Sequence, residues 1–352
     1  DLVVYDVASG LYYSIPTLTE LFTATSMSVT YIGQCRLTYD EELFIITLAG
    51  GNKTISITES NQTALRTFNF NGTSTTKYSF GEGVSVVKDW SMTHYKDVMF
   101  ISDYDLGVSG VRGTTGGQKC YVSTDNGYTF TKCFDFTGTD WSNITNAANI
   151  ISFGAASAHI HSVTYDPYQG VTWIITGDGA VSNDNSSLFW SRNFGTTWTH
   201  MRSTIVDNGA LIQQVVGLPF DGCMTFGTDA SYLNGTTVIT YNGDSMVQES
   251  TKNHASKVAL LCFARSVWAR ETSKVKYMSF GKDSQQTADP DAYSFILASS
   301  NGYTWETVWE DNNAAIYGNV FCYDDTDGKV YISLDGTGSY KERVVVLNVG
   351  FV

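Results

Sequence analysis

Short apolar stretches and turn-forming polar residues alternate along the whole chain. The apolar stretches are rich in β-branched and aromatic residues, and Gly and Asn cluster between them. This pattern predicts β-strands joined by tight turns. The 3.6-residue periodicity of long amphipathic helices is nearly absent. The sequence therefore predicts an all-β protein.

The first half of an internal repeat is a predicted hairpin, with an aromatic residue before an acidic turn and an apolar strand after it. The segment "YDEELFIITLAGG" is a clear example. Six copies occur, and the last one named here is looser than the others. They begin at Tyr39, Tyr95, Tyr165, Phe220, Tyr323 and Arg265.

The second half of the repeat is another predicted hairpin, seen most clearly in "STDNGYTF". Its copies begin at Ser123, Ser191, Ala298, Asn61, Ile239 and Ser14. The two halves alternate along the chain. Six units in 352 residues average about 59 residues each, which is the size of a four-stranded β-propeller blade.

This repeat predicts a six-bladed β-propeller that occupies residues 1–352 as a single domain. The last first-half hairpin lies near the C-terminus, whereas its second-half partner lies near the N-terminus. We therefore expect one blade to be shared between the N- and C-terminal segments, which leaves no open sheet edge. Seven blades are the alternative, if "SLDGTGSY" from Ser333 is a further second-half copy.

The second-half consensus, S-x-D-x-G-x-T-W, resembles the Asp-box (BNR) repeat of the sialidase-like β-propeller superfamily. Asn193 and Ser300 take the place of the aspartate in two copies. Asp125 can accept hydrogen bonds from turn N–H groups, and Gly127 supplies a positive φ. The resemblance implies a structural role on the outer rim, away from the ligand face. The box residues are Ser123, Asp125, Gly127, Phe130, Ser191, Gly195, Trp198, Gly302 and Trp305.

The net charge limits the classes of partner that the protein can bind. The net charge of −14 argues against nucleic acid and against anionic membrane surfaces. No apolar run approaches the roughly 18 residues that span a bilayer. Only 16% of the residues are charged, below the roughly 25% of typical soluble domains. We expect a secreted, extracellular or virion-surface protein with a neutral polar surface.

Cysteines and glycosylation sequons fit that expectation. Cys120 and Cys133 are centred on the turn of one box, so they could form a disulfide across the hairpin. The remaining four cysteines are expected to face the core as free thiols, at Cys35, Cys223, Cys262 and Cys322. Six sequons are candidate glycosylation sites, at Asn52, Asn61, Asn71, Asn143, Asn185 and Asn234.

A ligand site is expected on the face opposite the boxes, at the mouth of the central channel. In five of six units the second strand ends in an acidic residue. These candidate ligand-binding residues are Asp103, with Asp105 beside it, Asp178, Asp229, Asp283 and Asp335. Such a ring could hold a calcium ion or bind sugar hydroxyls. Alternatively, each aspartate caps its own loop.

The segment "HIHSVTYDPYQG" carries the candidate catalytic chemistry. His159 and His161 are two residues apart, so on a regular strand they share one side. They could act as a base or as metal ligands, or they could simply line a water-filled channel. Tyr165 and Arg112, from a long loop, complete the candidate set, and Arg36 is a further candidate for ligand binding. The chain has eight arginines. The three-arginine cluster that the resemblance to sialidases implies cannot be assembled from them.

Two functions remain open on the sequence. The first is a glycan-binding or assembly module without catalysis, in which the terminal strands "DLVVYDV" and "RVVVLNVGFV" could pair with another subunit. The second is a polysaccharide-degrading enzyme, a glycoside hydrolase or a lyase, that uses the histidines with Tyr165, Arg112 and an aspartate.

Overall fold

The structure is a computed structural model that describes part of the chain. The described residues are 2–6, 11–15, 29–37, 43–49, 63–68, 74–79, 92–102, 119–125, 127–135, 142–145, 159–177, 187–202, 206–207, 210–211, 214–228, 235–242, 245–248, 252–253, 262–268, 275–282, 294–311, 316–324, 329–336 and 343–348. They form strands and turns, and no helix lies among them. The chain divides into two compact units, residues 1–139 and 140–352.

The described part of the first unit contains ten strands in three antiparallel sheets. A two-stranded sheet pairs β1 (Leu2–Asp6) with β2 (Leu11–Ile15). The second sheet has the order β3 (Val29–Leu37), β4 (Leu43–Ala49), β5 (Thr63–Phe68) and β6 (Ser74–Ser79). The third has the order β7 (Met92–Tyr95), β8 (Val98–Ser102), β9 (Lys119–Ser123) and β10 (Thr131–Asp135).

The second unit begins with a five-stranded sheet in which β11 joins parallel to the fourth strand of a meander. It contains β11 (Ile144–Thr145), β12 (His159–Asp166), β13 (Val171–Gly177), β14 (Ser187–Ser191) and β15 (Trp198–Arg202). A short sheet pairs β16 (Val206–Asp207) with β17 (Ala210–Leu211). The next sheet contains β18 (Gln214–Phe220), β19 (Cys223–Thr228), β20 (Gly235–Asn242), β21 (Ser245–Gln248) and β22 (Lys252–Asn253).

Two further sheets complete the second unit. One is a meander of β23 (Cys262–Trp268), β24 (Lys276–Lys282), β25 (Ser294–Ser299) and β26 (Glu306–Asp311). The other is a three-stranded meander of β27 (Ile316–Asp324), β28 (Lys329–Gly336) and β29 (Arg343–Asn348). Among the described strands, six sheets of three or more strands therefore follow one another along the chain.

All six first-half hairpins of the repeat are confirmed. Each forms the first two strands of one sheet, by pairing β3 with β4, β7 with β8, β12 with β13, β18 with β19, β23 with β24 and β27 with β28. An apolar strand on each side of a polar turn can bury one face while the turn stays in water, which is why this pattern predicts a hairpin reliably.

Only some of the second-half copies are confirmed. The boxes from Ser123, Ser191 and Ala298 do connect the third and fourth strands of their sheets, and so does the copy from Ile239. The copy from Asn61 is wrong as a hairpin, because Thr63–Phe68 is strand β5. The segment from Ser333 is also no third-to-fourth turn, since Ser333 lies within β28 opposite Asn319. Most of the copy from Ser14 lies outside the described residues.

The first strands of the four larger sheets in the second unit pack beside one another. Strand β12 packs beside β18, β18 beside β23, and β23 beside β27. Each of these four strands contains a β-bulge against its partner, and in β12 the extra residue is His161. A bulge bends a strand and increases its twist. The repeated bulges thus bend the four first strands that pack beside one another.

The core of the second unit lies between successive sheets. Trp173 of β13 meets Phe226 of β19 edge-on, with their ring centroids 5.6 Å apart. The surrounding buried cluster is apolar and contains Val171, Ile175, Leu188 and Met224. The nearly continuous apolar runs of these strands suit burial on both faces.

In the part of the chain that the structure describes, no helix is long and apolar enough to cross a membrane. The number of blades, the closure between the chain ends and the single domain stay predictions.

Candidate functional site

Two box turns share one hydrogen-bond pattern. The Ser123 Oγ accepts the N–H of Gly127 at 2.8 Å, and the Ser191 Oγ accepts the N–H of Gly195 at 2.9 Å. Both glycines have a positive φ, 82° and 81°, which a residue with a Cβ adopts at a cost. The side chain at the aspartate position, Asp125 in one turn, then accepts the N–H of a threonine.

The third box is one residue shorter than the consensus implies. The Ser299 Oγ accepts the N–H of Gly302 at 2.9 Å, and the Asn301 Oδ1 accepts the N–H of Thr304 at 2.9 Å. The assignment of Ser300 to the aspartate position is therefore wrong, because Asn301 makes that contact. The spacing of the polar atoms, rather than the alignment of letters, decides which side chain closes the turn.

Asp125 is the one acidic side chain that these three turns use. Partial burial raises the pKa of Asp125, but hydrogen bonds outweigh that effect and lower it to about 2. The donors are the hydroxyl and N–H of Thr129, the Ser123 hydroxyl and the Tyr128 N–H. Asp125 is thus ionised at neutral pH and bonded within its own turn.

The three box aromatics pack inward. Phe130 and Trp198 are buried, and the Trp305 indole N–H donates to the Gly302 carbonyl at 3.0 Å. Trp305 also meets Phe220 of the preceding sheet edge-on, with 5.8 Å between the ring centroids. The third box therefore joins two neighbouring sheets.

The disulfide expected between Cys120 and Cys133 is absent, and both cysteines are buried free thiols. A register shift between Lys132 and Phe134 places Phe134, and not Cys133, opposite Cys120. The Cys133 thiol instead donates to the Cys120 carbonyl at 3.3 Å. Burial raises the pKa of Cys120 well above its usual value, so its thiol is protonated at neutral pH.

The other sequence-predicted cysteines and the sequons are only partly described. Cys223 is a buried free thiol, as expected. The side chains of Cys35, Cys262 and Cys322 lie outside the described part. Asn143 is exposed, and its carbonyl accepts the N–H of Trp198 at 2.8 Å. The remaining five sequons lie outside the described residues, at Asn52, Asn61, Asn71, Asn185 and Asn234.

The predicted ring at the channel mouth is almost wholly outside the described residues. That holds for Asp103, Asp105, Asp178, Asp229, Asp283 and Arg112. Asp335 pairs with Tyr317 in the sheet, and Arg36 pairs with Phe44, but their side chains are not described. Among the described residues, no group of three or more His, Cys, Asp or Glu side chains could hold a metal ion.

The candidate catalytic residues on β12 do not come together. His159 pairs with Gly177 at one end of the strand, whereas Tyr165 pairs with Thr172 near the other end. Six residues of strand separate them by about 20 Å. The Tyr165 ring lies 6.1 Å from Phe194 of the second box, on the turn side. The interpretation that Tyr165 acts with the histidines is therefore not supported by the geometry.

His161 occupies the bulge of β12 and is buried, with 2% of its surface exposed. A bulge re-aims a side chain. The expectation that His159 and His161 share one side rested on regular alternation, which the register shift between Ile160 and Ser162 interrupts. His161 is thus a buried imidazole at a distortion that the sequence did not reveal.

A polar cluster that the sequence did not indicate surrounds Lys276, at the start of β24. Lys276 is buried, and its Nζ donates to the Pro219 carbonyl and, at 3.1 Å, to the Tyr168 hydroxyl. The Nζ also lies 4.5 Å from the Tyr168 ring centroid and 5.0 Å from that of Phe220. One ammonium group therefore links three consecutive sheets. A lysine that starts a strand carries no sequence signal for such burial.

The charge of Lys276 should make stability depend on pH. Burial lowers its pKa to about 8, although Asp166 and Cys223 act to raise it. In the unfolded chain a lysine titrates near about 10.4, so between about pH 8 and 10.4 the unfolded state binds more protons. The contribution of Lys276 to stability should therefore rise with pH across this window, by on the order of 2–3 kcal/mol.

We predict that the Lys276→Met variant loses this rise. The measurement is the free energy of unfolding in urea, taken for wild type and variant at several values between pH 7.5 and 10.5. Lys132→Met is the matched control, because it removes one positive charge from an exposed ion pair with Asp135. A wild-type-minus-variant difference that stays constant across the window would contradict the prediction.

Similarity to solved structures is confined to the fold. The chain matches the GH74 enzyme of Niastella koreensis with a TM-score of 0.55 and 11% identity, over 98% of this chain and 49% of that chain. It thus spans about half the length of that enzyme. It also matches a candidate 6-phosphogluconolactonase of Bacteroides fragilis with a TM-score of 0.53 and 10% identity, over 98% of this chain and 88% of that one.

A candidate 6-phosphogluconolactonase of Bacteroides uniformis matches with a TM-score of 0.52 and 12% identity, over 98% of this chain and 89% of that one. These neighbours are β-propellers, so the chain has a β-propeller-like fold. No protein-family model and no curated protein matches the chain.

Proposed function

We propose that this protein is a β-propeller module that binds glycans without cleaving them, and that it is secreted, extracellular or on a virion surface. The observation that carries the proposal is the separation on β12, which removes Tyr165 from the catalytic set that the sequence suggested. Tyr165 packs against the box at one end of the strand, about 20 Å from the predicted histidine end. A catalytic set needs its groups within hydrogen-bond reach of one substrate.

Composition and fold agree with the proposal. The low charged fraction leaves a surface rich in neutral polar groups, which suits hydroxyl-rich ligands. Propeller scaffolds present loops around a concave face, where ligands commonly bind. The GH74 likeness adds support at the level of the fold only.

A second candidate function is polysaccharide degradation by hydrolysis or elimination. The observation that favours it is a buried imidazole, that of His161, at the bulge of β12, because bulges are frequent next to active sites, where they re-aim a side chain. In this alternative His159 and His161 supply the base, Arg112 neutralises a substrate carboxylate, and a mouth aspartate or a calcium ion assists. Tyr165 has no part in it.

One experiment separates the two functions. Wild-type protein is applied to an array of neutral, sialylated and uronic-acid glycans, and the bound glycans are then incubated with it and analysed for new reducing ends or unsaturated products. Binding without products supports the module. Products that disappear in the His159→Ala/His161→Ala variant, shown by circular dichroism to be folded, would establish the enzyme. No binding and no product would refute both.

The complete ring belongs to the same proposal. We infer six blades in one domain of residues 1–352, with the N-terminal segment supplying the strand that β27–β29 lacks. Leaving the two-stranded sheets aside, every other sheet among the described strands has at least four strands. If another subunit supplies that strand instead, the protein assembles through its ends. Light scattering decides between them: a monomer supports internal closure, whereas oligomers that dissociate on removal of residues 1–15 would contradict it.

A further inference from the structure

Phe194 combines two features that are unfavourable for a structural residue. Its backbone lies in the left-handed region, with a φ of 53°. Bulky L-residues rarely adopt this conformation, whereas Asn tolerates it. The first box has Asn126 at the same place. The Phe194 side chain is also 39% exposed. A strained backbone that holds an apolar ring in water points to a use for that ring.

Phe194 lies beside a tyrosine of β12, and its box turn is bonded to the turn that carries a second tyrosine. We call Tyr165, Tyr168 and Phe194 the aromatic patch. The rings of Tyr165 and Phe194 lie 6.1 Å apart at an angle of 34°. Tyr168, in the turn after β12, is 38% exposed. The Arg192 Nη1 donates to the Gln169 carbonyl at 3.1 Å, which ties the box turn to the turn that carries Tyr168.

The charged groups around the aromatic patch are engaged within the protein. The buried Asp166 carboxylate accepts the N–H groups of Tyr168 and Gln169. The buried Lys276 donates to the Tyr168 hydroxyl at 3.1 Å. The Arg192 guanidinium lies 5.9 Å from the Trp190 ring centroid besides its bond to Gln169.

Neutral polar side chains complete the surface. Asn193, Thr196 and Thr197 lie in the same turn as Phe194 and are exposed. The aromatic patch therefore offers ring faces beside exposed amide and hydroxyl groups, which also bond within the turn: the Asn193 Nδ2 donates to the Thr197 hydroxyl, and the Thr196 hydroxyl donates to the Asn193 carbonyl. The C–H groups on one face of a pyranose ring carry partial positive charge and stack on the negative face of an aromatic ring, while its hydroxyls reach neutral polar groups.

We propose that the aromatic patch is a subsite for an uncharged pyranose unit of a glycan, with Phe194 as its stacking platform. This inference rests on the proposed glycan-binding function. It places recognition on the side of the box turns, whereas the sequence predicted recognition on the opposite face.

The test compares ring removal with ring retention. Affinity electrophoresis through hydroxyethyl cellulose, galactan, galactomannan and arabinoxylan measures retardation of wild type, Phe194→Asn, Phe194→Trp and Tyr128→Ala. Phe194→Asn suits the left-handed backbone, so its melting temperature should equal or exceed that of wild type. We expect it to weaken binding about tenfold or more, and Phe194→Trp to bind within about threefold of wild type.

Tyr128→Ala is the matched control, because it removes a 60% exposed ring from another box turn. It should leave retardation unchanged. As a measurement that needs no variant, hydrogen–deuterium exchange of wild type with the retarding polymer should show protection in residues 187–202. Equal retardation of wild type and Phe194→Asn, or no protection there, would overturn the subsite and leave glycan binding intact. No retardation of wild type by any of these polymers would also overturn the subsite, while the glycan array separately decides the proposed function.

Discussion

Replacing Trp173 with alanine is expected to lower the free energy of unfolding by about 3–5 kcal/mol. Trp173 is fully buried and contacts Phe226 of the next sheet edge-on, within an apolar cluster that joins the two sheets. Removing the indole brings in no replacement side chain for Phe226 to contact. It leaves a cavity that close-packed neighbours can fill only in part. Since a domain is stable by roughly 5–15 kcal/mol, this loss is a large share of the total.

Urea denaturation followed by far-ultraviolet circular dichroism measures the effect. Trp173→Phe keeps an aromatic ring and should lose clearly less stability than Trp173→Ala. Tyr128→Ala, which removes a largely exposed ring, should stay within about 0.5 kcal/mol of wild type. A Trp173→Ala variant as stable as Tyr128→Ala would show that the two sheets do not pack through this cluster.

Gly302→Ala is expected to destabilise the protein by about 2–4 kcal/mol, the second largest effect. Gly302 has a φ of +79°, and a Cβ there would lie 2.8 Å from each of Cys223 Sγ, Phe220 Cδ2 and Thr225 Oγ1. The turn is fixed in place because the Thr225 hydroxyl donates to the Gly302 carbonyl at 3.1 Å. The methyl group added by this substitution would therefore push the third box away from the preceding sheet.

Gly222→Ala isolates the backbone component of that effect. Gly222 has a similar φ of +87°, but nothing lies within 4 Å of an added Cβ. We expect it to cost about 1–2 kcal/mol, the penalty of a left-handed conformation alone. The measurement is the denaturation midpoint of both variants in urea. If Gly222→Ala is destabilised as much as Gly302→Ala, the contact between the box and its neighbouring sheet contributes nothing.

Local patterns determined the hairpins well, since turn chemistry and alternating hydrophobicity act within about a dozen residues. "STDNGYTF" and "SRNFGTTW" indicated both the turn and its glycine, and the structure has both. The third box shows where letters fail, because Asn301 rather than Ser300 reaches the turn amide. A one-residue difference in turn length changes no composition but moves every side chain by one place.

The sequence by itself determined the class of the fold: repeated pairs of apolar strands with polar turns between them. The tertiary structure alone decided which residues meet. It placed the Tyr165 ring against Phe194 of the second box, shifted Cys133 out of register with Cys120, and buried Lys276 between rings from two other sheets. Bulges and contacts between sheets depend on residues far apart in the chain, and a local pattern carries no information about them.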